Sequence, residues 1–329
     1  MAPPKIPTVR LASGSNLPVI GLGTWQANPG QVKEAVREAI ELGYRHFDCA
    51  HIYGNEEEIG EAFAEKIKDG VVKREELFVT SKVWNNSHST AAVHAALDKT
   101  LKALRLDYLD LYIIHWPFGY QEGGPDPSPK DPTGKVIPSD IDYLETYRAL
   151  EELQKAGKLK NIGLSNFNIE QTRRVVENCS IAPSSNQFEV HVYLQNRELV
   201  DYCKSQNIVV VAYSPLGSNE RTKSADFIAF PPPLEDAVVK KIADKHKKLP
   251  GHVLLKFLLQ QDLVVIPKSS NKERLKSNLE LFDFTLDKDD LTQLASLDKK
   301  GDYRCWTMGR DADHKYYPFD RKYASNPSN

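Results

Sequence analysis

The sequence predicts an α/β protein built as a closed (β/α)8 TIM barrel, on three observations. Short β-branched runs alternate with longer amphipathic stretches along most of the 329 residues. Eight such β-then-α units can be counted, and alternation of this kind implies parallel strands joined by helical crossovers. The length suits a barrel, which takes about 250 residues plus insertions in one domain. Eight units favour closure, with an open doubly wound sheet as the alternative. A single domain over the whole chain is therefore expected, with a barrel core at roughly 20–282 and a tail from about 298.

Candidate strands lie at 20–24, 46–49, 78–81, 109–115, 161–165, 185–190, 209–214 and 264–267. Between the first two, 31–42 carries Val32, Ala35, Val36, Ala39 and Ile40 at the spacing of one helical face. The stretch 91–104 does the same with Val93, Leu97, Leu101 and Leu104, and 143–155 and 236–246 repeat the pattern. Gly43 and Gly157 follow helices, where a left-handed cap is wanted. Ahead of the first strand, Ser13-Gly14-Ser15-Asn16 reads as the turn of a β-hairpin that would plug the barrel bottom. Two long polar loops, 119–138 after strand four and 217–233 after strand seven, follow strand C-termini, where barrel active sites lie. Beyond Lys300, the tail carries Tyr303, Trp306, Tyr316, Tyr317 and Phe319. Such an aromatic segment is expected to fold back over the barrel mouth.

Charge narrows the function classes. With 43 Lys+Arg against 45 Asp+Glu, the net charge of −2 argues against non-specific nucleic-acid binding, which needs a basic face. The four cysteines, Cys49, Cys179, Cys203 and Cys305, make no C-x-x-C pair, so a zinc ribbon or a thioredoxin-type motif is excluded and reduced thiols are expected. The N-terminus has no apolar leader, and no apolar run approaches the roughly 18 residues of a membrane span. A cytoplasmic protein free of membranes is expected. No heptad or apolar stripe demands a partner, so a monomer is expected.

Four polar residues stand at or just past the ends of three strands. Asp48 ends strand two, Tyr53 follows it in the loop, Lys82 ends strand three and His115 ends strand four. In a barrel these ends share one mouth. A phenol has a pKa near 10, and a neighbouring ammonium stabilises its phenolate and draws that value down. A carboxylate keeps the lysine charged and placed, and a histidine can orient a carbonyl. Together the four would protonate a carbonyl oxygen as hydride reaches its carbon. Taken singly, each is more often an ordinary packed or solvated residue; only their convergence points to chemistry.

Three segments carry a resemblance. Gly43-Tyr-Arg-His-Phe-Asp48-Cys-Ala-His-Ile-Tyr53-Gly-Asn-Glu56-Glu-Glu-Ile-Gly60, Lys160-Asn-Ile-Gly-Leu-Ser165-Asn166-Phe167 and Ile266-Pro-Lys268-Ser269-Ser270-Asn271-Lys-Glu-Arg274-Leu-Lys-Ser-Asn278 are similar, in order, to the signatures of the aldo-keto reductase family. The chain most resembles the aldose and aldehyde reductase branch. The resemblance implies an NADPH/NADP+-dependent reductase of small carbonyl compounds. Tyr53 would be its general acid, Lys82 the partner lowering its pKa, Asp48 the anchor of that lysine and His115 the substrate-orienting group. Ser165, Asn166 and Gln187 would grip the nicotinamide carboxamide, and Tyr213 would stack on its ring. Thr24 and Trp25 would flank the cofactor, and Ser214, Leu216 and Ser218 would form the pyrophosphate loop after strand seven. Around the 2′-phosphate and adenine would stand Lys268, Ser269, Ser270, Asn271, Arg274 and Asn278, the cations suiting a dianion that NADH lacks. Glu220 would clasp a cofactor belt onto the lysine. Trp25, Trp84 and Trp116, each just past a strand end, would line the substrate pocket with Trp306 from the tail.

Departures leave the substrate open. The loop after strand seven lacks the tryptophan common in mammalian aldose reductases, the loop after strand four and the tail also differ, and Ser277 replaces a commonly acidic residue. Rival readings are weaker. Gly21-Leu-Gly23-Thr-Trp-Gln26 begins like a dinucleotide fingerprint but has glutamine where the third glycine belongs. Lys82 as a Schiff-base nucleophile conflicts with its Asp48 partner, which raises a lysine pKa. A non-catalytic barrel would share the motifs, and turnover would separate it.

Overall fold

A computed structural model describes residues 6–25, 30–218 and 230–321. Eight parallel strands form one sheet: β1 (Leu22–Gly23), β2 (His46–Asp48), β3 (Phe78–Val83), β4 (Leu111–Ile114), β5 (Ile162–Ser165), β6 (Ser185–Glu189), β7 (Val209–Tyr213) and β8 (Val264–Val265). Each pairs with its neighbours in sequence. The ring closes between β1 and β8 through parallel bridges Ile20–Val265 and Gly23–Lys268, with the Gly21 N–H donating to Val265 O at 2.9 Å. The open-sheet alternative is thereby ruled out.

The expected strands 20–24 and 264–267 shorten to two residues each at this seam. Pro267 has no N–H to return to the ladder, so pairing there is interrupted. Gly21 and Gly23 also find their reason here. A Cβ on Gly21 would lie 2.5 Å from the His46 ring, and one on Gly23 would lie 2.8 Å from Ile266 O. These glycines let strands approach each other, so the start of a dinucleotide fingerprint is a packing device of the seam. Strand three corrects in the other direction. It runs on to Val83, so Lys82 lies within β3, opposite Ile113, and does not end it.

The helices form where the apolar spacing places them. α1 (Gln31–Leu42) buries Val32, Ala35, Val36, Ala39 and Ile40 and stops at Gly43, whose φ of 104° suits a residue without a Cβ. Fully burying each larger aliphatic side chain contributes roughly 1.5–3 kcal/mol. Behind the β2 loop comes α2 (Glu56–Lys68); α3 (Thr90–Leu104) is capped by Ser89, and α4 (Tyr143–Lys155) by Asp142. At the end of α4 the capping position falls to Ala156, and Gly157 follows it at φ 79°.

The N-terminal hairpin pairs Thr8–Arg10 with Asn16–Pro18, so Asn16 belongs to its second strand. Leu11 and Leu17 pack with Phe78, Leu111, Ile113, Val211, Val264 and Ile266 in the barrel interior, making the hairpin a plug at the N-terminal ends of the strands. The loop after β4 is bounded by a two-residue antiparallel pair, Gly119–Tyr120 with Pro138–Ser139. Glu220 lies outside the described residues. Among the described residues no helix is long and apolar enough to cross a membrane.

Candidate active site

The C-terminal rim of the barrel gathers the four residues singled out in the sequence. Asp48 is the last residue of β2. After it the chain makes a 3-10 turn, His51–Tyr53, ended by Gly54 at φ 67°, and this turn carries Tyr53 back over the rim. From β3, the Lys82 ammonium donates to Asp48 Oδ2 at 2.6 Å, to Cys49 O at 2.8 Å and to Tyr53 OH at 3.2 Å. All three of its donors are thus in use. Gln187 of β6 holds the other carboxylate oxygen, donating to Asp48 Oδ1 at 2.7 Å. The His115 ring stands edge-on to Tyr53, centroids 5.9 Å apart.

Electrostatics follow from this packing. Burial opposes the charge on Lys82, but Asp48 and the Tyr53 oxygen outweigh it and push its pKa up to about 12. A lysine so strongly protonated is no Schiff-base nucleophile. For Tyr53, Lys82 acts in the expected direction, lowering the phenol by charge and hydrogen bond, but a larger opposing effect sets the net value. Burial dominates and pushes the phenol up to about 12, with Lys82 pulling back by charge and hydrogen bond. The lysine tempers a raised pKa and leaves the phenol fully protonated at neutral pH. His115 is held well below the usual histidine range by burial first and by the Lys82 charge second, so its ring is neutral.

The residues expected around the nicotinamide form one network. Asn166, at φ 61°, donates through Nδ2 to His115 O at 2.9 Å and Ser165 Oγ at 3.1 Å, and its Oδ1 accepts from Tyr213 OH at 2.8 Å. The Thr24 hydroxyl donates to Asp48 O at 2.8 Å. After β7, a tight turn from Ser214 (φ 49°) to Gly217 is closed by Gly217 N–H on Ser214 O at 2.8 Å, with Leu216 packed on the core and Ser218 just beyond. Across the seam, Lys268 is exposed and its pKa is lowered by partial burial and by the neighbouring Arg274 charge. Among the described residues neither cation has a carboxylate partner. Ser269 Oγ accepts from Asn271 N at 3.1 Å, and Asn271 caps the short helix carrying Arg274 by accepting from its N–H at 2.9 Å. Ser270 lies between them, and Asn278 follows that helix. Two neighbouring cations with no carboxylate partner among the described residues suit a phosphate dianion, so these residues fit an NADPH 2′-phosphate.

The four tryptophans fall into two groups. Trp84 stands edge-on to His115 at 5.1 Å and joins Trp116, Phe118 and Tyr120 in one aromatic cluster. Trp25 pairs instead with Trp306, centroids 4.4 Å apart at 87°. The tail does fold back. Asp311 accepts from Tyr120 OH at 2.9 Å, Gln171 donates to Tyr316 O at 2.9 Å, and Asn168 donates to Pro318 O at 3.0 Å. Sequence reasoning missed the Tyr120–Asp311 pair and a buried carboxylate, Glu189, at the end of β6. An acidic residue closing a fully buried strand, between Phe188 and Val190, was the available signal for Glu189.

Comparison with other proteins agrees with this geometry. The profile of the aldo/keto reductase family matches residues 19–299. Aldo-keto reductase family 1 member A1 from Gallus gallus is 45% identical over 324 residues, covering 96% of this chain and 98% of its own. The Homo sapiens protein of that name is 44% identical over 324 residues, with the same coverage. Among solved structures, an aldose reductase from Schistosoma japonicum superposes with a TM-score of 0.89 at 40% identity, over 96% of this chain and 99% of that one. On fold, site and relatives alike, this chain belongs to the aldo/keto reductase family.

Proposed function

We propose that the protein is an NADPH-dependent reductase of small aldehydes and ketones, with Tyr53 as the proton donor. The observation that carries this reading is the contact of Lys82 Nζ with both Asp48 Oδ2 and Tyr53 OH beside a neutral His115. Bound NADPH would supply the hydride. Lys268 and Arg274 would hold its 2′-phosphate, with Ser269 and the capped helix start beside them. Ser214, Leu216 and Ser218 would follow the pyrophosphate, and Ser165, Asn166, Gln187 and Tyr213 the nicotinamide end.

The chain's own residues supply the proton and the orientation. A phenol held at about 12 keeps its proton through the neutral range, as a general acid must before the reaction. As negative charge grows on the carbonyl oxygen, the Lys82 ammonium lies one contact away and stabilises the phenolate left behind. Asp48 and Gln187 fix that ammonium in place. His115, being neutral, can donate a hydrogen bond to the carbonyl oxygen without competing as an acid. Trp84 and Trp116 give the pocket an apolar wall that excludes water.

The test is NADPH oxidation, followed by loss of its near-ultraviolet absorbance, with glyceraldehyde and a small aromatic aldehyde, beside NADH. Turnover with NADPH and little with NADH is expected. Tight NADPH binding without turnover of any aldehyde would overturn the catalytic reading.

A further inference from the structure

Two residues beyond Gln187 on β6 stands a carboxylate that the proposed chemistry does not use. Glu189 is fully buried. Its oxygens accept from Cys305 N–H at 2.9 and 3.0 Å, from Trp306 N–H at 3.1 Å and from His191 Nε2 at 3.1 Å. Glu189, His191 and Cys305 bring their ligand atoms within 4.8 Å of one another, a donor set a soft cation could use. The carboxylate, however, is already filled by N–H donors. What it holds is the backbone at the entry of the tail. Other barrel contacts flank that point: Lys299 N–H donates to Tyr193 O at 2.8 Å upstream, and Asp311 accepts from Tyr120 OH downstream.

The consequence falls on Trp306. Its backbone is pinned by Glu189, its indole N–H donates to Ser214 Oγ at 3.3 Å and its ring meets Trp25 at 4.4 Å. The indole therefore spans the loops after β1 and β7. We propose that Glu189 is a positioning residue that sets Trp306 as one wall of the mouth and so determines how well bulky aromatic aldehydes are accepted relative to small ones. This deepens the reductase reading and rests on it. A rigid strand end is a suitable anchor, because charge-assisted bonds to two successive N–H groups fix both the height and the direction of the chain leaving them. An aromatic substrate feels the placement of an aromatic wall; glyceraldehyde, which has no ring to stack, does not.

Glu189→Gln in the full-length enzyme tests this, since it keeps the shape but sets an amide NH2, a donor, against N–H groups that in the parent donate to a carboxylate oxygen. At saturating NADPH, the KM for a substituted benzaldehyde is expected to rise roughly five- to tenfold, from the size of one aromatic contact. The glyceraldehyde KM and both kcat values should stay within about twofold. Trp306→Ala should raise the benzaldehyde KM by itself, and adding Glu189→Gln to it should raise it no further, because the two act in series. Equal changes in both KM values, or additive effects in the double variant, would overturn the proposal. Should Glu189→Gln not fold, an unchanged benzaldehyde KM in Trp306→Ala overturns it alone. Absence of any turnover in the unmodified enzyme removes the reductase reading and this one with it, whereas turnover without the split removes only this one.

Discussion

Replacing Lys82 by methionine isolates the electrostatic core of the site. Lys82 and Asp48 are only 1% and 2% exposed, and they meet at 2.6 Å. Methionine fills most of the same volume but leaves the Asp48 carboxylate buried with Gln187 as its remaining side-chain donor. Stranding one charge of a buried pair destabilises a fold by about 3–5 kcal/mol. For 329 residues, at about 2.1 cal/mol/K each, the unfolding entropy is near 0.7 kcal/mol per degree, which gives a fall in Tm of about 4–7 °C. The double variant Asp48→Asn with Lys82→Met carries no stranded charge and should regain at least half of the loss. Circular dichroism melts at pH 8 provide the assay, with NADPH oxidation on the same samples expected to fall by about 10²-fold or more. A Lys82→Met protein that melts within about 1 °C of the parent at pH 8 and keeps its rate would refute the buried-pair reasoning.

Tyr53→Phe removes the proton donor and leaves the ring, so aldehyde reduction should drop at least about 10²-fold while NADPH quenching of tryptophan fluorescence is kept; retained activity would place the acid elsewhere. Lys268→Ala with Arg274→Ala should weaken NADPH by roughly 10²-fold and NADH by no more than about threefold, since only NADPH presents a dianion there; equal weakening of both in equilibrium titrations would refute the assignment. Acid should also destabilise the fold through its buried histidines. Burial lowers His46 to about 4 and His88 to about 3, against about 6.5 in the unfolded chain. The native state thus binds fewer protons, and stability is lost as pH falls from about 6.5 toward 4, by about 1.4 kcal/mol per pH unit for each histidine. His88→Gln should reduce that slope by one proton near pH 5 in urea melts, and an unchanged slope would exclude His88 from it.

The fold was legible because two periodicities alternate cleanly. Helix 31–42 is found within the limits its apolar spacing sets, as is 143–155. The edges of the pattern were less legible. The helix Pro250–Leu259 is apolar on nearly every side, so a polar face does not set it apart, and its burial is decided by packing. The shortened seam strands depend on Pro267 meeting β1, a contact made some 240 residues apart in sequence.

By itself the sequence determined the parallel barrel and the rim positions of Asp48, Tyr53 and His115, because strand and helix spacing and the chemistry of residue types are local properties. It also marked Lys268 and Arg274 as a cation pair. Only the tertiary structure decided that Lys82 lies inside β3 with its ammonium on three acceptors, that burial outweighs the lysine and raises the Tyr53 pKa, and that Trp25 pairs with Trp306 and not with Trp84. Glu189 as the anchor of the tail is of the same kind. Each of these is set by how much water and which charges surround a group, and those surroundings are assembled from strands and tail segments that meet only in the folded chain.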